Sequence, residues 1–165
     1  MYYKLISYLK FLRKSTNAHG VHSPFVYKYV TQCLYSKKKW AKNKAIDVLL
    51  KSMAYFNAEH VHIAQPEIQR MVGAKFPNID FEGAVLDVLF VAQMDRTAFT
   101  GLLSSGKLHN DSIILIDAIH KNPKKQQKWK NLISSEKITV SLDMYHCGAI
   151  FIRREQVKEH FTIRI

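Results

Sequence analysis

Asp117 and His120 stand three residues apart, just beyond the apolar run Ile113-Ile114-Leu115-Ile116. If a strand delivers them to the edge of a sheet, a carboxylate and an imidazole so placed can serve as a general base and the group that orients it. An Asp at a strand end also forms turns through its own side chain, which is the simpler reading. His60 and His62 alternate in sequence and share a face if their segment is extended, a geometry compatible with metal binding. No third ligand stands at a diagnostic spacing, so a packing or surface role is expected and no metal. Lys37, Lys38 and Lys39, extended by Lys42 and Lys44, form a patch that can converge on a phosphate. Cys33 and Cys147 have no CxxC partner and read as buried apolar side chains. Trp40 and Trp129 read as packing anchors rather than base-stacking platforms.

The elements that must position these groups follow from hydropathy. Tyr2, Leu5, Tyr8, Leu9 and Leu12 recur at three- and four-residue spacing opposite Lys4, Lys10, Arg13 and Lys14, so residues 2 to 14 form an amphipathic helix. After a turn from Ser15 to Ser23, Pro24 opens a second helix that reaches about Tyr35, and a third runs from about Lys42 to Phe56. Beyond Asn57 the pattern alternates. Strands are expected at about 60 to 64, 86 to 91 and 112 to 117, with helices at about 66 to 75, 95 to 105 and 123 to 134. Residues 78 to 81 offer a further short strand. Ile138 to Leu142 and Ala149 to Arg153 flank a short turn and should pair as an antiparallel hairpin.

At 165 residues one well-buried core is expected, and 47% hydrophobic with 23% charged residues excludes a disordered or fibrous chain. The net charge of +12 is uneven. Residues 1–57 carry eleven basic side chains against the single acid Asp47, a net of +10, and the remainder is nearly balanced at +2. Such a segment attracts nucleic acid, an anionic membrane surface or a phosphorylated substrate, and it can equally be a solvated face. The longest run free of Lys, Arg, Asp and Glu, Ser15 to Tyr27, contains Gly20 and Pro24, which excludes a spanning helix there. The apolar start is interrupted by Lys4 and Lys10 and lacks a small-residue cleavage site, so a cytoplasmic location is expected.

Two segments carry a resemblance. His19-Gly20-Val21-His22-Ser23-Pro24-Phe25-Val26-Tyr27 near the start, and Lys107-Leu108-His109-Asn110-Asp111-Ser112 through Asp117 to Gln156-Val157-Lys158-Glu159-His160-Phe161-Thr162-Ile163-Arg164 at the end, resemble a bacterial family of class I S-adenosylmethionine-dependent methyltransferases. The family's members are longer. The resemblance implies a shortened Rossmann-like α/β fold with a mostly parallel sheet, closed by a C-terminal antiparallel hairpin and preceded by an N-terminal helical arm. The helical pattern and charge make residues 1–57 a basic helical cap or arm, and the resemblance makes residues 58–165 the methyltransferase-related domain.

The family's cofactor loop is absent from this sequence. Its first strand ends in an acid and a glycine-rich turn, whereas Glu59-His60-Val61-His62-Ile63-Ala64-Gln65 contains no glycine. Ala64 and Gln65 fall where the ribose-binding acid is implied, and Ala92 stands where a strand of the family ends in Ile-Asp-Gly. The family's paired aspartates have become Asp117 and Ala118, with His120 kept. Methyl transfer needs the sulfonium held in line with a nucleophile, and a base where that nucleophile must lose a proton. Joint loss of two acids and the loop argues against ordinary catalysis.

Three readings follow: a methyltransferase-like interaction module that has lost cofactor binding, an active S-adenosylmethionine-dependent methyltransferase, and a nucleic-acid-binding protein on an α/β scaffold. In the first, Asp117 and His120 are vestiges of a catalytic pair, and Lys37, Lys38, Lys39, Lys42 and Lys44 bind an anionic partner. Loss of a βα unit would bare apolar faces, so a homodimer through the N-terminal helices or an uncovered sheet face is expected.

Overall fold

The sheet is mixed, and its direction changes where the C-terminal hairpin is inserted. The computed structural model describes residues 2–165. In chain order the elements are α1 (Tyr2–Lys14), α2 (Pro24–Lys28, continued by π-helical Tyr29–Leu34), α3 (Lys44–Tyr55), β1 (Val61–Ile63), α4 (Pro66–Lys75) and β2 (Leu86–Val91). They continue with α5 (Arg96–Ser104), β3 (Leu108–Asp117), α6 (Pro123–Ile133), β4 (Val140–Asp143), β5 (Cys147–Phe151) and β6 (Glu159–Thr162). The strands lie in the order β1-β2-β3-β5-β4-β6. β1, β2 and β3 run parallel, β5 is antiparallel to both β3 and β4, and β6 runs parallel to β4.

Side-chain caps start most of these helices where the sequence changes from polar to apolar. Ser23 Oγ accepts from Val26 N ahead of Pro24, Asn43 Oδ1 accepts from Ala45 N and Ile46 N, and Asn122 Oδ1 accepts from Lys125 N ahead of Pro123. Alternation along the strands then feeds two cores. Val88, Phe90, Ile113, Leu115, Ala149 and Phe151 face α2, α3 and α4, while Leu89, Ile114, Ile116 and Ile150 face α5 and α6 through Phe99, Trp129 and Leu132. Helices cover both faces, so strands β2 to β5 leave no broad uncovered sheet face of the kind a lost βα unit would produce.

Three features depart from the sequence pattern. Residues 1–57 join the main core, to which α2 and α3 contribute fully buried Val26, Tyr29, Val30, Leu49 and Leu50. The second helix changes to π-helical winding at Tyr29, whose phenol meets Ser52 Oγ at 2.8 Å inside the core. The strand suggested at 78 to 81 is a single bridge from His60 to Asp80, whereas β6 had no alternating pattern to announce it.

Helix α1 turns most of its apolar stripe outward. An apolar stripe on an amphipathic helix ordinarily packs inward, yet the buried residues of α1 are Ser7 and Phe11, and Tyr2, Leu5, Ile6, Tyr8 and Leu9 are exposed. The slot that receives the helix is polar, and a serine fits it where a leucine would strand buried polar groups. Among the described residues, no helix is long and apolar enough to cross a membrane.

Candidate functional site

The carboxyl ends of β1, β2, β3 and β4 reach one edge of the sheet, the edge at which open α/β sheets hold ligands. β1 is followed there by exposed Ala64 and by Gln65, and β2 by exposed Ala92. Neither alanine offers a polar side chain. Gln65 Oε1 is buried without a hydrogen-bond partner among the described residues. Between β2 and β3 the crevice is taken by Lys125 from α6, whose Nζ donates to Ala92 O at 2.8 Å and Asp117 O at 3.2 Å. Burial raises the Asp117 pKa above its usual value, with Lys125, the Ala118 N–H, Lys121 and His146 opposing it only in part. Burial likewise lowers the pKa of Lys125, offset in part by Asp117.

Beside this filled crevice lies an open cleft of about 460 Å³, formed by α1, the start of α3 and the ends of β3 and β4. Asp117, Ala118, His120, Lys121, Tyr145 and His146 line it together with Lys4, Asn43 and Ala45. Its size falls within the range of small-molecule sites. Two lining residues carry left-handed backbone, Ala118 at φ 52° and Tyr145 at φ 65°. Ala118 N donates to His146 O at 2.7 Å, which joins the two strained turns across the cleft floor.

The pairing suggested by sequence spacing does not form: no hydrogen bond joins Asp117 to His120. His120 instead meets Asp143 Oδ2 through Nε2 at 2.7 Å and Ser7 Oγ through Nδ1 at 3.0 Å. Gln126 Nε2 also reaches Nδ1 at 3.0 Å, Tyr3 OH donates to Gln126 Oε1, and Tyr145 N donates to Asp143 Oδ1. Because the carboxylate only accepts and the Gln126 amide nitrogen only donates, these partners place the imidazole proton on Nε2. The Tyr145 ring stacks on the imidazole with centroids 4.9 Å apart.

Serine, histidine and aspartate in that order evoke acyl transfer, but the geometry fits a structural tie better. Ser7 is 4% exposed, in the middle of α1, and does not line the cleft. Its own N–H belongs to the helix ladder, so Ser7 does not provide the paired N–H groups that stabilise an oxyanion. What the network does is fasten α1 to the carboxyl edge through two elements far away in sequence.

The remaining candidates are scattered. His60 Nδ1 lies 3.2 Å from Asp80 Oδ2, and His62 points outward from the edge strand. Among the described residues, no cluster of three His, Cys, Asp or Glu is arranged to hold a metal ion. Cys33 and Cys147 are buried and unpaired, and burial pushes the Cys33 thiol up to about 12. Lys37, Lys39 and Lys42 are exposed, while Lys38 sits 3.7 Å above the Trp40 ring and Lys44 Nζ donates to Ile165 O. Trp40 stacks on Phe76, and Trp129 is buried against β5. Spacing does not point to Ser7, Asp143, Gln126 or Tyr145, because the sheet order brings Asp143 and Tyr145 to His120 while the docking of α1 and the first turn of α6 bring Ser7 and Gln126.

Fold and site together define a three-layer α/β protein with a mixed six-stranded sheet and a cleft at the carboxyl edge. No family model matches the chain, and no curated protein or solved structure shows significant similarity to it.

Proposed function

We propose that this chain is a methyltransferase-like protein that no longer uses S-adenosylmethionine and acts as an interaction module, with the basic surface of residues 1–57 meeting an anionic partner. The observation that carries this reading is Lys125, whose ammonium fills the crevice between the ends of β2 and β3 by bonding both strand-end carbonyls. A sulfonium cofactor is itself a cation, and its sulfur would meet a like charge at that position. Ala64 and Ala92 add no carboxylate for ribose hydroxyls. The hairpin of β4 and β5 supports the family resemblance, as does contact between the two resembling segments: Ser23 Oγ donates to Gln156 Oε1 at 3.2 Å, and Arg153 covers the Phe25 ring.

The cleft beside Asp117 favours a second reading, an active methyltransferase with a displaced cofactor site, since 460 Å³ of open space adjoins a carboxyl whose raised pKa suits a base. Calorimetric titration separates the two. The interaction module gives no saturable heat with S-adenosylmethionine up to about 1 mM, equivalent to about 4 kcal/mol of binding free energy. Micromolar binding overturns it in favour of the enzyme.

A further inference from the structure

We propose that the outer face of α1 is an interfacial anchor that lies on an anionic lipid bilayer, an inference that rests on the reading of the chain as an interaction module. Tyr2, Leu5, Ile6 and Leu9 fall on one side of the helix and are 84%, 60%, 47% and 52% exposed. Lys10 and Arg13 flank them, also exposed, and no acidic residue occurs before Asp47. A contiguous apolar face bordered by cations is the pattern of a helix that beds its side chains at the boundary of headgroups and acyl chains.

The structure also explains why this face points outward. Four side-chain ties fix the opposite face: Ser7 to His120, Tyr3 to Gln126, Tyr145 OH to the carbonyl of Lys4, and the Phe11 ring against Tyr145. The helix is therefore presented already folded, and binding does not have to supply the ordering of its backbone. Among candidate occupants only an anionic bilayer satisfies both halves of the pattern. Nucleic acid would engage the cations and leave the leucines in water. A second copy would cover the leucines, but it would bring Lys10 and Arg13 of two helices together with no acid in either.

The test uses the full chain with vesicles of phosphatidylglycerol and phosphatidylcholine, or of phosphatidylcholine alone, in co-sedimentation at low salt. Binding to the anionic vesicles, and at least about tenfold weaker binding to the neutral ones, is expected. Leu5→Glu with Leu9→Glu should lower partitioning at least about tenfold, and Lys10→Gln with Arg13→Gln should weaken its salt dependence. Both pairs are solvent-exposed, so circular dichroism should show an unchanged fold. Absence of vesicle binding overturns the proposal. So does binding to duplex DNA or RNA alone that survives the leucine changes, or a dimer that those changes dissolve in a chain that ignores vesicles. These outcomes leave the module reading standing, whereas micromolar S-adenosylmethionine binding removes that reading without altering the vesicle result.

Discussion

Nε2 of His120 lies 2.7 Å from Oδ2 of Asp143, and the two side chains are only 6% and 11% exposed. The contact spans 23 residues of chain and anchors a chain of hydrogen bonds that reaches Ser7, 113 residues away from His120. Replacing His120 by Ala leaves the carboxylate with Tyr145 N as its remaining partner and strands the Ser7 hydroxyl and Gln126 amide. Removing the hydrogen-bond donor of a buried carboxylate costs about 1.5–3 kcal/mol. Denaturant unfolding should show that loss, and hydrogen exchange should show α1 losing protection before the sheet. Ser7→Ala should cost about 1 kcal/mol, and Ser7 should not react with a fluorophosphonate.

Asp47 organises the connection between α2 and α3. Its carboxylate accepts from Trp40 N at 2.6 Å and Ala41 N at 3.1 Å and pairs with Lys51, which in turn donates to Leu34 O and Ser36 O. Burial alone would raise its pKa, but the Trp40 N–H, Lys51 and the Ala41 N–H outweigh burial and hold it below the ordinary carboxyl value. A carboxyl depressed in this way stabilises the fold above its unfolded pKa of about 3.9 and ceases to do so as pH falls through the lower folded value. Asp47→Asn should cost on the order of 1–3 kcal/mol at pH 7. Unfolding measured across the acid range should show that difference shrinking as pH falls.

Asp117 should behave oppositely. Its pKa is raised, so the folded state holds a proton that the unfolded chain has already released, and ionisation weakens the fold as pH rises through that window. Asp117→Asn removes the ionisation and should give a protein more stable than the native chain at pH 7. At a pH below both carboxyl values the difference should disappear. An Asn variant less stable at pH 7 would mean that Lys125 contributes more through charge than burial takes away.

Ala118 occupies left-handed backbone, where a β-carbon is crowded and Asn or Asp is better tolerated. Ala118→Asn should therefore stabilise the protein by about 0.5–1 kcal/mol, read as a rise in the denaturation midpoint with an unchanged slope.

Gly148 is required by close approach. A β-carbon added there would lie 2.5 Å from the buried Trp129 ring, which packs flush against β5. Gly148→Ala should cost about 1–3 kcal/mol by forcing the indole aside, with a change in tryptophan fluorescence to accompany the loss.

Much of the architecture was legible in sequence because local periodicity reports local structure. The continuous apolar runs Val88-Leu89-Phe90 and Ile113 to Ile116 mark strands buried on both faces whatever they pair with, and Ser23, Asn43 and Asn122 start helices through bonds to their own next turn. The hairpin of β4 and β5 was visible for the same reason. The candidate site was legible only in part. Spacing brought out Asp117 and His120, and both line the cleft, but the partner that His120 takes is Asp143.

The sequence by itself determined the α/β alternation, the concentration of charge in residues 1–57 and the apolar stripe of α1. Tertiary structure alone decided that His120 bonds Asp143 and Ser7, that Lys125 caps two strand ends, and that the apolar stripe faces outward. A hydrogen bond depends on distances of about 3 Å, and sheet order sets those distances between residues that sequence keeps far apart. Hydropathy likewise identifies the two sides of an amphipathic helix, but the polarity of the surface it meets determines which side is buried. For α1 that surface was His120, Gln126 and Tyr145, and it selected the side bearing Ser7.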